Sequence, residues 1–223
     1  MKLTTEQIEY VFNYVKSFDI KWYELQVELT DHMVNSMEEI WEKDPELTFH
    51  QVKQYAENSF GRNGFKAIED DRIQILRKEF RKAQLNIITK YLRFPKIIAS
   101  IFLALLIFKG SFYFDEPVKF VKNSFGLLAV LFIPAFYSYY ANRKIKGKRF
   151  LELNISHSTF TGIFVFMYWI MYLLNSFKES VQTHAIIILP FCFAWVMGIL
   201  FLLTGFHLQK KTIINVKKQY QLN

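Results

Sequence analysis

Four long apolar runs, almost bare of charge, constrain this chain more than anything else in its sequence. They lie at about 95–114, 123–142, 155–177 and 185–206. A helix needs about 20 mostly apolar residues to cross the hydrocarbon core of a bilayer. The last three runs hold no Asp, Glu, Lys or Arg, and the first, past Lys96 at its inner edge, is interrupted only by Lys109, near its outer end, where the stem can reach the interface. The expected fold is therefore all-α: a small N-terminal helical domain followed by a four-helix transmembrane bundle. Pro134 and Pro190 fall inside two of the runs and are expected to kink them.

The charge map sets the expected orientation. Residues 1–82 carry 12 Lys/Arg and 16 Asp/Glu, a net of −4, and residues 83–223 carry 16 and 4, a net of +12. The positive charge sits beside the apolar runs. Lys90, Arg93 and Lys96 precede the first, and Arg143, Lys144, Lys146, Lys148 and Arg149 lie between the second and third. Lys210, Lys211, Lys217 and Lys218 follow the fourth. The two remaining loops hold Asp115, Glu116, Lys119 and Lys122, then Lys178 and Glu179. Four spans put all three basic segments on one side, and the positive-inside rule makes that side the cytoplasm. Both termini are then cytoplasmic, in a multi-pass protein of a bacterial inner membrane. Tyr137, Tyr139 and Tyr140 beside Arg143 fit an inner aromatic belt. The polar start Met1-Lys2-Leu3-Thr4-Thr5-Glu6 lacks a signal-peptide core. Basic charge spent on orientation does not advertise a nucleic-acid surface, and no direct nucleic-acid binding is expected.

Residues 1–70 are expected to fold as a cytoplasmic three-helix domain. Thr4 with Gln7 and Thr48 with Gln51 form capping boxes, flanked by the hydrophobic staples Leu3–Ile8 and Leu47–Val52. Ile8, Val11, Phe12, Val15 and Phe18 make the first helical stripe. Trp22, Leu25, Leu29, Met33, Met37 and Ile40 make the second, which Asp44-Pro45 ends. The third helix carries Val52, Tyr55 and Ala56 and closes at Phe60-Gly61, where glycine tolerates the left-handed cap. Opposite the second stripe runs an acidic face of Glu24, Glu28, Asp31, Glu38, Glu39 and Glu42. It is either a solvated surface or a docking face for a basic partner, with Glu28, Asp31, His32 and Glu38 as candidate contacts. His32 follows Glu28 by one turn, but no third ligand is spaced for a metal.

The stretch Glu28-Leu29-Thr30-Asp31-His32-Met33, then Ser36-Met37-Glu38-Glu39, Thr48-Phe49-His50-Gln51-Val52, Ala56 and Phe60-Gly61 resembles a bacterial N-terminal module. That module is the permease prefix domain and the related HAAS signalling domain; the likeness covers roughly residues 5–65. The resemblance implies a cytoplasmic regulatory module attached to membrane segments and associated with winged-helix regulators. It implies no catalytic residues.

Residues 71–94 read as a basic connector helix. Ile73, Leu76, Phe80, Ala83 and Ile87 step by three and four, with Arg72, Arg77, Lys78, Arg81, Lys82, Lys90 and Arg93 around them. Arg77, Lys78, Arg81 and Lys82 are candidate contacts to an anionic inner leaflet. The same seam could instead pack on the N-terminal domain or make a homodimer. Residues 210–223 are expected to be a basic cytoplasmic tail.

The sequence carries no phosphate-binding loop, HExxH pair or GxSxG elbow. Its one cysteine, Cys192, sits in an apolar run and admits neither a disulfide within the chain nor a multi-cysteine metal site. The absence of carboxylates and Arg mid-span argues against an ion-coupled pump. Gly198 and Gly205, seven apart, offer a close helix contact, and His157 and His207 fall at the inner ends of their helices. Expected catalytic residues, metal ligands and cofactors are none. The leading reading is a non-enzymatic regulatory or scaffold protein that binds a cytoplasmic regulator. A small subunit of a permease or export system is the alternative, and an interfacial enzyme using His157 or His207 is the least supported.

Overall fold

The computed structural model describes residues 2–61 and 64–221. Positions 1, 62 and 63 of the expected 1–70 domain, and 222 and 223 of the expected tail, lie outside them. The described residues are helical, without a strand, and divide into two compact units. Unit one is Met1–Arg77 with Lys144–Leu151, and unit two is Lys78–Arg143 with Glu152–Asn223.

Unit one contains α1 (Thr5–Ser17), α2 (Tyr23–Lys43), α3 (Phe49–Ser59) and the first half of α4 (Gly64–Tyr91). Both capping boxes form. The Thr4 hydroxyl accepts from the Gln7 N–H at 3.3 Å while Gln7 Oε1 accepts from the Thr4 N–H at 2.9 Å, and Thr48 and Gln51 repeat the exchange. Gly61, at φ +77°, ends α3 in the left-handed region. Val11, Val15, Leu25, Leu29, Met33, Met37, Val52 and Ala56 are fully buried and form the core.

The edges of the stripes differ from expectation. Tyr55 is 55% exposed, because it lies about 100° around α3 from Ala56. Ile8 and Phe18 are exposed at the ends of the α1 stripe, and Trp41, four after Met37, replaces Ile40 as the buried end of the α2 stripe. α3 meets α1 through aromatic rings, Tyr10 standing edge to face with Phe49 at 5.5 Å, and through polar groups. Lys53 Nζ stands 3.7 Å from the Tyr14 ring centroid, and burial together with a hydrogen bond to Glu57 pushes the Tyr14 phenol up to about 12. Lys66 pairs with buried Glu69 one turn along α4; this hydrogen bond raises the Lys66 pKa, burial opposing it.

Unit two contains the rest of α4, α5 (Lys96–Ser111), α6 (Pro117–Val130), α7 (Ile133–Asn142), most of α8 (Leu151–Ser176), α9 (Lys178–Thr183) and α10 (Leu189–Gln219), which a 3-10 turn over Ala185–Ile188 precedes. Three segments are long and apolar enough to cross a membrane: Pro117–Asn142, Leu151–Ser176 and Ala185–Gln219. A fourth qualifies if α4 and α5, bent by 82° at a break, act together. α5 alone has 16 residues, about 24 Å of helix. The chain is a helical membrane protein with three to four candidate spans.

Three boundaries correct the sequence reading. Pro134 does disturb its span, by a break in the preceding turn rather than a bend in one continuous helix, and it stands in the first turn of α7 as Pro190 stands in that of α10. The second span breaks at Leu131–Phe132, upstream of Pro134, and Pro190 follows the 3-10 turn. A ring that clashes with the preceding turn is accommodated where a helix starts. The expected tail is also not separate: α10 continues to Gln219 and buries Thr212 and Val216.

The bundle core gathers Val121, Phe125, Leu128, Phe132, Phe160, Met167, Ile188, Cys192 and Val196. α10 packs on α5 and α6. Polar side chains join the helices where lipid would offer no partner. Trp195 Nε1 donates to the Ser124 carbonyl at 2.9 Å, and Gln84 Nε2 donates to the Phe201 carbonyl at 3.2 Å. Large apolar side chains, among them Phe102, Leu127, Ile133, Tyr168 and Trp169, face outward and are exposed. A belt of that kind suits a hydrocarbon solvent better than water.

Candidate functional site

The feature that departs furthest from the sequence reading lies in unit one. Residues 144–151, expected as a plain basic loop, fold as a hairpin turn on the start of α2. Ile145 and Lys148 exchange both backbone hydrogen bonds at 3.0 Å. Between them Lys146 and Gly147 stand at φ +50° and +80°, the paired positive values of a two-residue type I′ turn. Glycine takes this conformation freely, whereas Lys146 takes it at a cost.

The turn is fastened by four contacts. The Tyr23 N–H donates to the Arg149 carbonyl at 2.8 Å, and the Leu151 N–H donates to Glu24 Oε1. Tyr23 and Phe150 meet edge to face, with ring centroids 5.9 Å apart. Lys148 Nζ lies 3.5 Å from the Tyr23 ring centroid, a cation–π contact. Ile145 and Phe150 are buried, so the turn has an apolar underside and a basic outside. Beside it opens a cavity of about 590 Å³. Phe12, Ile20, Tyr23 and Gln26 form its floor, and Lys16, Asp19, Lys21, Lys144, Lys148 and Arg149 its polar rim.

The acidic face of α2 is not one uniform solvated surface. Glu24 is engaged by Leu151, and Glu38 accepts the Leu3 N–H at 2.9 Å. Asp31 and His32 are exposed, and Glu28 is half-buried. Of the four candidate contacts, Glu38 thus has a structural duty and Asp31 and His32 are open. Arg77, Lys78, Arg81 and Lys82 are all exposed, and their spacing puts them on one side of α4. The connector seam is occupied within the chain: Leu76 and Ile88 are buried, with Phe80, Ala83 and Ile87 half-buried.

The two histidines expected at the inner ends of their helices have different surroundings. The His157 ring stacks on Tyr139 at 3.8 Å between centroids and 7° between planes, with Phe136 and Phe160 around it. Tyr139 in turn donates to Asn154 Oδ1 at 3.2 Å. His207 is exposed. Among the described residues no group of three His, Cys, Asp or Glu side chains is placed to hold a metal. Arg143 lies over Tyr140, 4.1 Å from its ring centroid, within the expected aromatic belt.

Sequence reasoning missed Glu24 as the partner of Leu151 and Lys148 as the partner of Tyr23. Lys146-Gly147 between Ile145 and Lys148 was the available signal for a turn, but nothing local announces what that turn packs on. No protein-family model matches this chain, and no curated protein or solved structure is significantly similar to it.

Proposed function

We propose that this chain is a non-enzymatic regulatory protein of the membrane, in which a cytoplasmic helical unit couples a partner to a four-span bundle. One observation carries the proposal: the segment between the second and third spans is folded into the same unit as the N-terminal helices. Residues 78–143 leave that unit and return to it, so they cross a membrane an even number of times. On this reading Pro117–Asn142 is one crossing and α5, which qualifies only in its bent pair with α4, is the other, which brings the proposed total to four. The basic flanks then favour a cytoplasmic location for unit one. A partner that moves α2 also moves the hairpin, and the hairpin is tied by its own chain to the ends of α7 and α8. The resemblance of residues 5–65 to prefix and HAAS modules points in the same direction.

Asp31 and His32 are the open part of the docking face. A photo-crosslinking residue at position 31 of the full-length chain, in its native membrane, should give one discrete adduct with a cytoplasmic protein. Glu28→Lys with His32→Glu should reduce that adduct without lowering the protein level. Adducts that are absent, or unchanged by the reversal, would remove the regulatory reading.

A further inference from the structure

We propose that the cavity between the start of α2 and the 145–148 turn is a binding site for a phosphate-bearing anion, with the headgroup of an anionic phospholipid as its occupant. Its rim brings together five cations, Lys16, Lys21, Lys144, Lys148 and Arg149, against one carboxylate, Asp19. Asp19 pairs with Lys21 at 3.3 Å, which leaves the other four rim cations unmatched by the rim's own acid. Five like charges repel one another unless something answers them, so such a rim stores affinity for an anion.

The site is built rather than a chance grouping on a mobile loop. Two backbone hydrogen bonds close the turn, the Tyr23-to-Arg149 bond fixes it to α2, and Lys148 is held over the Tyr23 ring. Arg149 supplies a planar fork suited to two phosphate oxygens, and the lysines supply point charges around it. Lys16 comes from α1 and Lys144 from the far side of the turn, so the donors converge from three chain segments. About 590 Å³ is ample for a phosphodiester headgroup.

Lipid is favoured over a free phosphate by the chain itself. α7 ends at Asn142 and α8 begins at Leu151, so the turn is tethered at both ends to candidate spans by very few residues. That tether holds the rim near headgroup level, where anionic lipid is concentrated. The inference rests on the topology proposed above.

The test uses full-length protein in nanodiscs of phosphatidylcholine containing one fifth phosphatidylglycerol, with retained lipid counted by native mass spectrometry after detergent release. Wild type should retain phosphatidylglycerol in preference to phosphatidylcholine. The triple variant Lys16→Gln, Lys144→Gln, Arg149→Gln should weaken that retention by about a hundredfold, at roughly tenfold or less per cation. Neutralising Lys210, Lys211 and Lys217 in a control should leave retention unchanged. A parallel arm titrates inorganic phosphate and pyrophosphate in neutral detergent and reads thermal unfolding. Stabilisation there that the triple variant abolishes, without selective lipid retention, would transfer the site to a soluble phosphate and overturn the lipid assignment. Equal loss in the control, or no selectivity in either arm, would overturn the site itself. Labelling of a cysteine at position 146 in oriented vesicles separates a wrong topology from a wrong site, because the detergent arm does not depend on orientation.

Discussion

Two glycines on α10 should respond differently to the same added methyl group. A Cβ on Gly205 would lie 2.8 Å from Phe160 Cε1 and 2.9 Å from Cζ, and one on Gly198 would lie 2.8 Å from Leu128 Cδ2. Both glycines are buried, and both partners belong to the bundle core. The difference lies in what can yield. Phe160 is fully buried, with Phe132 and Phe206 against it at 5.9 and 5.6 Å between centroids and His157 at 6.0 Å. With three rings against it, Phe160 has less room to yield than a side-chain end, so the helices are expected to separate. Leu128 meets the new methyl with the end of a flexible side chain. Overpacking a tight core costs about 1–3 kcal/mol, while replacing glycine by alanine within a helix returns about 1 kcal/mol. The expected net loss lies in the range of about 0–2 kcal/mol, at its upper end for Gly205→Ala and close to zero for Gly198→Ala. Reversible unfolding of the full chain in mixed micelles, with each variant against wild type, measures both. Phe160→Leu combined with Gly205→Ala should recover part of the loss, a coupling that a double-mutant cycle isolates. Stabilisation by Gly205→Ala, or a cycle with no coupling to Phe160, would refute the close contact of α10 with α8.

Thr4→Ala and Thr48→Ala should each cost about 1 kcal/mol of unit-one stability in denaturant unfolding followed by helical circular dichroism, since each removes one half of a capping box. Tyr14 should titrate near 12 by tyrosine-selective NMR of the full chain, and Glu57→Gln should lower that midpoint by removing the charge and leaving only a neutral acceptor for the phenol. An unfolded tyrosine ionises near 10.0, so the stabilisation linked to Tyr14 is complete below pH 10 and lost between there and about 12. Glu24→Gln should destabilise the hairpin by about 1–2 kcal/mol and speed amide exchange at Leu151, because a charged acceptor becomes a neutral one. In a Cys192→Ser background, single cysteines at 31 and 146 should label from one face of native vesicles and one at 179 from the other; labelling of 31 and 146 from opposite faces would exclude four spans.

How far the sequence revealed this fold follows from how local each signal is. The capping boxes at Thr4 and Thr48 were legible because donor and acceptor lie three residues apart. The α2 stripe was legible because Leu25, Leu29, Met33 and Met37 repeat at fixed spacing. The apolar runs were legible because composition alone marks them, although their ends were not. Pro134 and Pro190 were read as kinks since a proline inside an apolar run does not say whether the helix bends through it or restarts at it. The basic tail was read as separate from the last span because its lysines conceal Thr212 and Val216, which matter only when a bundle is there to bury them. The candidate site was the least legible part. Its deciding contact joins Glu24 to Leu151, 127 positions apart, and each is unremarkable in its own neighbourhood.

That long-range contact also changes what the basic loop is for. Under the positive-inside rule alone, Arg143, Lys144, Lys146, Lys148 and Arg149 are interchangeable, since orientation needs charge and not position. In the structure they are not interchangeable. Lys146 accepts a costly backbone conformation, Lys148 is committed to the Tyr23 ring, Arg143 lies over Tyr140, and Lys144 and Arg149 reach the cavity rim. A loop selected only to orient spans would tolerate exchange among these places. Swapping Lys148 with Gly147 preserves the net charge and the topology, yet it moves the cation from the ring and puts glycine where none is required. Loss of unit-one stability from that charge-neutral swap, with orientation intact, is therefore the behaviour that separates a built hairpin from a mere topological signal.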